Sequence, residues 1–472
     1  MRHVRIGFIP SHRDPFSRDW GEKMRARCIA ALDKIPGLEL VVPGPDLTPQ
    51  GLVATIEEGR KTLDLFRRKG VAGVIVGGMT FSHEVSAIGV IVAGMARGTP
   101  VLHFGTRGAP IGPDGLRASD SWCGMFMTAS AMKRRGIKFE HLPTCFPEEP
   151  VFSETAARFV RACAANDAFH GARIGQIGAR PEEFESVWWD EASLQKRFNQ
   201  TVVPVDLDET FARVEAIPAD SKAVKAVVKE VSAGLAASDA SGAPPASPEL
   251  LANLARYELA LEALAREKDL AAMGVNCWTR VQQRFGISVC EALGRLTDKG
   301  IMAACEVDIY GAASMLAVYG AGLDQTPPHF IDWTELHPER PNVWLAWHCG
   351  NCPRTLCEPN CKPSLRDHSI IQLRPACGAL EFRMKPGPVT CARLVEYDGD
   401  FTMFIGRGEV IPIEPVTRGS YGWVQVADVM DWERKMIEHG IIHHGVLIHD
   451  PAVAAALESF CYFNDIAVVK GA

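Results

Sequence analysis

The sequence predicts an α/β protein that has two successive α/β units and then a region of antiparallel strands. Short apolar strands alternate with helical segments over roughly the first 165 residues, a pattern typical of a parallel sheet covered on both faces. The alternation restarts near Ala172. Beyond about residue 326, short strands of alternating polarity favour an antiparallel barrel or sandwich.

Apolar runs of strand length and segments of helical spacing define the elements of the first unit. Strands are expected over Val4–Pro10, Leu38–Val42, Val71–Val76 and Pro100–Phe104, and helices over Asp19–Lys34, Leu52–Lys69 and Val85–Arg97. The same signals define the second unit. They predict strands over Ala172–Ile177 and Thr201–Val205, helices over Ser193–Phe198 and Glu249–Met273, and a flexible surface loop over Ala233–Pro248.

The last region reads as a series of short strands. They are expected over Ser369–Leu373, Ala379–Met384, Val389–Tyr397 and Phe401–Val410, with a turn at Asp398-Gly399-Asp400. Together these patterns predict three domains, spanning residues 1–167, 168–325 and 326–472.

Charge and hydropathy exclude several classes of protein. A formal net charge of −7 without a long basic run is a poor match to a nucleic-acid binder. Uncharged apolar stretches such as Val85–Ala96 and Ile309–Leu323 are too short to cross a bilayer. The N-terminus reads as a first strand and not as a signal peptide.

The chain has 14 cysteines and is large enough to fold without disulfide bonds, so we expect free thiols and a cytoplasmic protein.

Nucleotide-binding loops are missing where the two α/β units would carry them. Ser11-His12-Arg13-Asp14 follows the first strand and contains no glycine. In the second unit, Gly175-Gln176-Ile177-Gly178-Ala179-Arg180 lacks the final glycine of a dinucleotide fingerprint. We therefore expect no nucleotide cofactor.

Acidic and imidazole side chains interrupt apolar runs in the C-terminal half. They are Glu306 and Asp308 in ACEVDIYG, Asp332, Glu335 and His337 in FIDWTELHPE, His348 in VWLAWHCGN, and His443 and His444 in GIIHHGVLIHD. Buried carboxylates are costly unless they are paired or bind metal. Adjacent histidines on a strand point to opposite faces, so only one of the pair is expected to face a site. Carboxylates with imidazoles suit Mn²⁺ or Mg²⁺.

Four cysteines lie close together in a proline-rich segment, at Cys349, Cys352, Cys357 and Cys361. A leading C-x-x-C could hold zinc or an iron–sulfur cluster, but the spacing fits no common ligand pattern. We predict that this group is not a required metal centre.

Several of these segments together resemble the L-fucose/L-arabinose isomerase family. The likeness is carried by the Cys-Trp, Gly-x-x-x-Cys and Cys-Glu-x-Asp elements between VNCW and CEVD, and by FIDWTELHPE, WHCGN, TMFIGRGEV and the HHGVLIHDPAVAAALESFCYFNDI tail. VIVGGMTFS is similar to the arabinose isomerase branch. The resemblance implies two Rossmann-like, doubly wound α/β domains and then a C-terminal domain that contains an antiparallel β-barrel.

The resemblance also implies a site and a reaction. Glu306 and Asp332 become the paired carboxylates that hold a divalent ion, Mn²⁺ or else Mg²⁺ or Co²⁺, and exchange protons with an open-chain sugar. Glu335 is the rival for the second carboxylate. His444, with His443 as the alternative, would complete the metal site together with His348. Isomerisation of an aldose to a ketose through a cis-enediolate needs such groups.

Substrate contacts and assembly follow from the same resemblance. The expected substrate-binding residues are His12, Arg13, Arg18, Ser82, His83, Trp278, His443 and Asn351. The expected substrate is a pentose, a 6-deoxyhexose or a modified sugar, and the extra cationic groups around His12 and His83 would suit an anionic or modified one. The family further implies a homo-oligomer, trimeric or hexameric, with active sites near subunit interfaces. A non-catalytic sugar binder, and an epimerase or aldolase of the same fold, remain the alternatives.

Overall fold

A computed structural model describes residues 1–236, 246–370 and 376–471 of the chain. The chain divides into two compact units, one formed by residues 1–167 and 458–465, the other by residues 168–457 and 466–472. The predicted boundary at residue 325 lies inside the second unit, and the division into three domains stays a prediction. The expected loop at Ala233–Pro248 and the expected strand at Ser369–Leu373 both fall partly outside the described residues.

The first unit is built on a parallel sheet with the strand order β2-β1-β3-β4-β5. Its elements are β1 (Val4–Ser11), α1 (Arg18–Leu32), β2 (Leu38–Val41), α2 (Ile56–Lys69), β3 (Gly73–Gly78), a π-helix (Val85–Val92), β4 (Val101–Gly105), α3 (Ser121–Arg134), β5 (Glu140–His141) and α4 (Pro150–Phe169). In this doubly wound order, strands are added to one side of β1 up to β2 and to the other side from β3 onward, so the strand order reverses between β1 and β3. The carboxyl ends of these two strands therefore border the crevice in which such folds bind ligands.

Two helices of the first unit differ from their predicted form. Helix α2 begins at Ile56 and not at Leu52, because Thr55 and Glu58 form a reciprocal capping box at that point. The predicted helix at Val85–Arg97 is a π-helix over Val85–Val92. Periodicity in the sequence does not distinguish that winding from an α-helix.

A second parallel sheet, in the order β7-β6-β8-β9, forms the α/β part of the second unit. Its elements are β6 (Arg173–Ile177), α5 (Glu191–Phe198), β7 (Thr201–Val205), α6 (Leu207–Ala216), α7 (Lys222–Ser232), α8 (Pro248–Glu267), β8 (Ala272–Val275), α9 (Arg280–Phe285), α10 (Cys290–Asp298), β9 (Met302–Cys305) and α11 (Ile309–Ala321). The predicted helix to Met273 is too long. It ends at Glu267, and Asp269 has a φ of 53°, which redirects the chain into β8.

The rest of the second unit is dominated by antiparallel strands. They are β10 (His329–Leu336), β11 (Val343–His348), β12 (Ser364–Asp367), β13 (Cys377–Arg383), β14 (Gly387–Tyr397), β15 (Asp400–Ile411), β16 (Ser420–Gln425) and β17 (His444–Ile448), with α12 (Val429–Glu438) and β18 (Ala467–Lys470). The intervening α13 (Val453–Phe463) belongs in its larger part to the first unit. Strands β16, β11, β10, β17, β14 and β15 pair in that order, and β15 pairs back with β16. The strands thus close a six-stranded antiparallel barrel, and the predicted fold class is confirmed.

Apolar side chains fill the barrel and hold β10 and β17, which carry Asp332 and His444. Its core includes Ile331, Trp344, Phe404, Val424 and Leu447, all buried. Within the described part of the chain, no helix combines the length and apolar character needed to cross a membrane.

Candidate active site

Glu306 lies in a tight turn between β9 and α11. Glu306 and Val307 have φ angles of 61° and 58°, in the left-handed region that is unfavourable for a β-branched residue such as valine. A Cβ on Gly274 of β8 would lie 2.9 Å from the backbone carbon of Val307, so only glycine allows the turn to pass this close. The strained turn presents the Glu306 side chain at the carboxyl edge of the sheet, where only 4% of the residue is exposed.

Asp308 anchors the other end of this turn. Its Oδ1 accepts a hydrogen bond from the Gly311 N–H at 2.7 Å and so caps α11. The same carboxylate pairs with the fully buried Arg393 guanidinium of β14, whose Nη2 lies 3.0 Å from Oδ1. Burial alone would raise the pKa of Asp308, but the charges of Arg393 and His444 outweigh it and hold the pKa well below its usual range.

His444 is held between two carboxylates. Its Nδ1 lies 2.8 Å from Oδ2 of Asp308, and its Nε2 lies 2.7 Å from Oε2 of Glu306. Burial opposes a charge on the ring, yet the two acids prevail and raise the pKa of His444 to about 10. This compact set of opposite charges fixes both the position and the orientation of the imidazole.

Asp332 faces His444 across neighbouring barrel strands. The two residues are directly paired between β10 and β17, and Oδ1 of Asp332 lies 3.6 Å from Nε2 of His444. Burial raises the pKa of Asp332 to about 7, despite the opposing charge of His444. Glu335 lies beyond a register shift in β10 and is exposed. The geometry therefore favours Asp332 over Glu335 as the second carboxylate.

His348 at the end of β11 brings a second imidazole to the same place. Ligand atoms of Asp332, His348 and His444 all lie within 4.8 Å of one another, as do those of Glu306, His443 and His444. Among the described residues, Nε2 of His348 and Oδ1 of Asp332 are buried without a hydrogen-bond partner. Burial lowers the pKa of His348 far below its usual value, so the ring is neutral and able to ligate. These donors fit a divalent cation of borderline hardness.

His443 does not point to the opposite face from His444, contrary to the sequence-based expectation. Strand β17 begins only at His444, so the strand rule does not apply to the preceding residue. The two ring centroids are 3.9 Å apart. His443 is the exposed member of the pair, and its Nδ1 lies 3.4 Å from the hydroxyl of Ser186.

An aromatic wall lies beside the histidine pair. The ring of Phe184 is 5.4 Å from that of His443 and 5.2 Å from that of Trp278. The indole N–H of Trp278 is buried and, within the described part of the chain, has no acceptor. Such a wall can exclude water and offer one donor to a bound hydroxyl.

Known protein families match both ends of the chain. Residues 7–170 match the model described as "Fucose/sulfoquinovose isomerase, N-terminal domain", and residues 346–470 match "L-fucose isomerase, C-terminal domain". The chain belongs to the fucose isomerase family. This membership confirms the resemblance seen in the sequence and makes the protein an aldose–ketose sugar isomerase.

Several curated relatives of this fucose isomerase family member are named sulfoquinovose isomerase. The chain is 24% identical over 323 residues to a sulfoquinovose isomerase of Alkalicoccus urumqiensis, covering 67% of this chain and 69% of the relative. It is 21% identical over 461 residues to the sulfoquinovose isomerase of Priestia megaterium, covering 97% of each. A sulfoquinovose isomerase of Clostridium sp. (strain MSTE9) is 24% identical over 367 residues, or 77% of each chain.

In the first unit of this isomerase, the predicted substrate-binding residues gather where β1 and β3 end. The buried ring of His12 bonds the Thr80 hydroxyl at 2.8 Å through Nδ1, and its Nε2 lies 3.3 Å from Asp14. Burial lowers the pKa of His12. Arg18 forms a bidentate ion pair with Asp14 at 2.7 and 3.0 Å. Arg13 stacks over the Phe81 ring at 5.1 Å.

The two remaining predicted residues of this cluster shape its backbone. Ser82 has a φ of 72° and is buried. The N–H of His83 donates to Ser11 Oγ at 3.0 Å, and its ring bonds Ser86. They hold the loop after β3 against the end of β1, so the cluster occupies the crevice at which this sheet order places ligands.

The structure gives Asn351 and the cysteine group contacts other than those expected. Asn351 is buried, with Oδ1 bonded to His329 and Nδ2 to Cys305, so its predicted substrate contact stays a prediction. The expectation of free thiols is wrong for Cys357 and Cys361, which are joined as a disulfide. The two cysteines lie in one loop, and their Cα atoms are only 6.0 Å apart, within the range that a disulfide spans.

Sequence reasoning missed the role of three contributors. Asp308 is among its acidic candidates, but the contact between Asp308 and His444 was not predicted. Arg393 gave one signal, a lone arginine within the apolar run TCARLV. Phe184 gave none, because an aromatic residue in a loop has no pattern that separates it from ordinary surface.

Proposed function

We propose that this protein is a metal-dependent isomerase that converts an anionic aldose to its ketose through a cis-enediolate. The observation that carries the proposal is the position of Glu306 and Asp332, which approach Nε2 of His444 from two different elements at 2.7 and 3.6 Å. Two carboxylates beside one imidazole give a site that can move protons between neighbouring carbons.

Four side chains are proposed to hold the ion: Glu306, Asp332, His348 and His444. Two carboxylates and two imidazoles favour Mn²⁺, with Co²⁺ or Mg²⁺ as weaker alternatives. When bound, the ion polarises the substrate oxygens and stabilises negative charge on them.

The chain's own residues would divide the proton transfers. Glu306, on its rigid turn, removes the proton from the carbon next to the carbonyl. Asp332, which approaches the same nitrogen of His444 from β10, returns a proton or shuttles one between the two oxygens. Asp308 and Arg393 keep His444 in place, and His443 and the Trp278 N–H bind hydroxyls further along the sugar.

The proposed substrate is a hexose that carries a sulfonate, since the curated relatives named above are sulfoquinovose isomerases. Arg13 supports this choice. Among the described residues it has no carboxylate within ion-pair distance, whereas the charge of Arg18 is already matched by Asp14. Arg13 with His12 offers cationic and polar donors for a sulfonate. We further propose a homo-oligomer, as the family resemblance implies.

A substrate screen tests this proposal. The Mn²⁺-loaded protein is incubated with sulfoquinovose, L-fucose and L-arabinose, and each reaction is followed by NMR. We expect ketose formation to be fastest with the sulfonated sugar and to stop when a chelator removes the metal. Equal rates on the neutral sugars would contradict the anionic substrate, and C2 epimers or cleavage products would identify an epimerase or an aldolase instead.

A further inference from the structure

Two thiols and an imidazole form a second, softer donor cluster in the second unit. Ligand atoms of Cys290, Cys349 and His368 all lie within 4.8 Å of one another. All three residues are almost fully buried, with exposures of 3%, 4% and 2%. The proposed reaction uses neither Cys290 nor His368. We propose that this cluster is a separate zinc site.

Three different elements supply these donors, and β13 holds two of them in place. Cys290 is the first residue of α10, and His368 directly follows β12. Ser288, just before α10, donates its N–H to the Cys377 carbonyl at 2.8 Å. His368 donates its N–H to the Ala376 carbonyl at 3.0 Å. The helix start and the loop after β12 are therefore both fixed at the beginning of β13.

Cys349 is brought to the same strand by a glycine. Gly350 accepts a hydrogen bond from the Leu380 N–H of β13 at 3.2 Å. Gly350 has a φ of 131°, and a Cβ there would lie 2.5 Å from the Leu380 nitrogen. No other residue would allow the chain after Cys349 to approach β13 this closely. The thiol position is thus a consequence of backbone geometry and not of a mobile loop.

The donor types distinguish this site from the carboxylate site, although Sγ of Cys349 lies 3.3 Å from Nδ1 of His348. Two thiolates and one imidazole are a soft set that suits Zn²⁺, with a fourth position for water, whereas the cluster around Glu306 suits a harder ion. Zinc binding here would release the thiol protons to solvent and tie α10 to the ends of β11 and β12. The ligands lie far apart in sequence, so spacing within Cys349–Cys361 could not reveal them.

Cobalt substitution tests the zinc site directly on the full chain. Protein stripped of metal is titrated with Co²⁺ alone, and the near-ultraviolet sulfur-to-cobalt charge-transfer band is recorded. We expect a saturable band whose final intensity corresponds to one cobalt–thiolate site per chain and which Zn²⁺ abolishes. The wild-type spectrum is decisive even if a variant fails to fold, since the absence of this band would overturn the proposal.

Variants locate the band and separate it from the proposed active site. Cys290→Ser should abolish the band, and His368→Gln should weaken cobalt binding at least tenfold. Cys377→Ser, which removes a β13 thiol outside the cluster, and Asp332→Asn should both leave the band intact. A band that survives in folded Cys290→Ser, or that disappears in Asp332→Asn, would overturn the proposal. The spectral readout does not depend on isomerase activity, so the two hypotheses can fail independently.

Discussion

Oδ2 of Asp308 lies 2.8 Å from Nδ1 of His444, and this contact decides which ring nitrogen faces Glu306. Because Nδ1 is engaged by Asp308, Nε2 is the nitrogen directed at Glu306 and Asp332. A carboxylate that orients a ligating histidine through its other nitrogen is a common feature of metal sites. In this protein the same carboxylate also caps α11 and neutralises Arg393, so one side chain links the helix, the barrel and the site.

Asp308→Asn should weaken metal binding without removing a ligand. The amide can still cap α11 but cannot match the charges of Arg393 and His444. We expect the Kd for Mn²⁺ to rise about 10–100-fold and the free energy of unfolding to fall by about 3 kcal/mol. Both are measured on the purified protein, by calorimetric titration and by urea unfolding. Asp428→Asn, at the exposed cap of α12, is the matched control, and an equal loss there would contradict the assignment.

Asp332→Asn and Glu335→Gln should differ sharply. Asp332 pairs directly with His444, whereas Glu335 is exposed beyond the register shift in β10. We expect turnover to fall by about 10²–10⁴-fold or more in Asp332→Asn, together with weaker Mn²⁺ binding. Glu335→Gln should stay within a few-fold of the wild-type protein. Steady-state kinetics decide the matter, and a larger loss from Glu335→Gln would make Glu335 the second carboxylate.

Arg13→Met should impair recognition of an anionic sugar more than Arg18→Met does. Arg18 is bound to Asp14, whereas Arg13 stacks on Phe81 with its charge available. Loss of one charged hydrogen bond predicts a KM about 10-fold higher or more for the sulfonated sugar. The kcat should change little. A neutral 6-deoxy analogue is the control substrate. A similar rise in its KM would show that Arg13 does not bind the anionic group.

Stability of the first unit should depend on pH through His103. Burial lowers the pKa of this histidine to about 3, and its Nε2 lies 2.6 Å from the Thr128 hydroxyl. The unfolded chain takes up a proton near pH 6.5, but the folded chain does not. Stability is therefore complete above that pH and falls as the pH decreases, by about 2 kcal/mol at pH 5.

His103→Gln should flatten this dependence. Differential scanning calorimetry at pH 7 and pH 5 gives the Tm of the transition in which the first unit unfolds. The difference between the two Tm values should be smaller in the variant than in the wild-type protein. Replacement of the exposed His3 by glutamine serves as the control for loss of a histidine. An unchanged pH dependence in His103→Gln would show that another group governs the acid sensitivity.

Strand bounds could be predicted from the sequence where the local pattern of residues decides them. The strand at Thr201–Val205 has the predicted bounds, because an apolar run between polar turns has one favourable conformation there. Glu306 and Asp332 are among several acidic candidates because carboxylates in apolar runs carry a large desolvation cost. Their pairing is what the family resemblance implies, and it stays a prediction. Helix α8 was overestimated because alanine- and leucine-rich sequence continues past its true end at Glu267.

Features that depend on tertiary contacts could not be predicted from the sequence. The choice between Asp332 and Glu335 rests on a register shift in β10, which the sequence does not show. The proximity of His443 to His444 rests on the point at which β17 begins. The cluster of Cys290, Cys349 and His368 forms only when three separate elements meet at β13.

Deuterium incorporation at C2 is the most direct test of the central claim that Glu306 transfers the proton. The Mn²⁺-loaded protein and its Glu306→Gln variant are incubated with sulfoquinovose in D₂O, and both sugar pools are analysed by NMR. We predict that the wild-type protein forms ketose and that the recovered aldose carries deuterium at C2. The Glu306→Gln variant, folded and checked for bound metal, should show neither reaction. Ketose formation or C2 exchange at wild-type rates in Glu306→Gln would contradict the account.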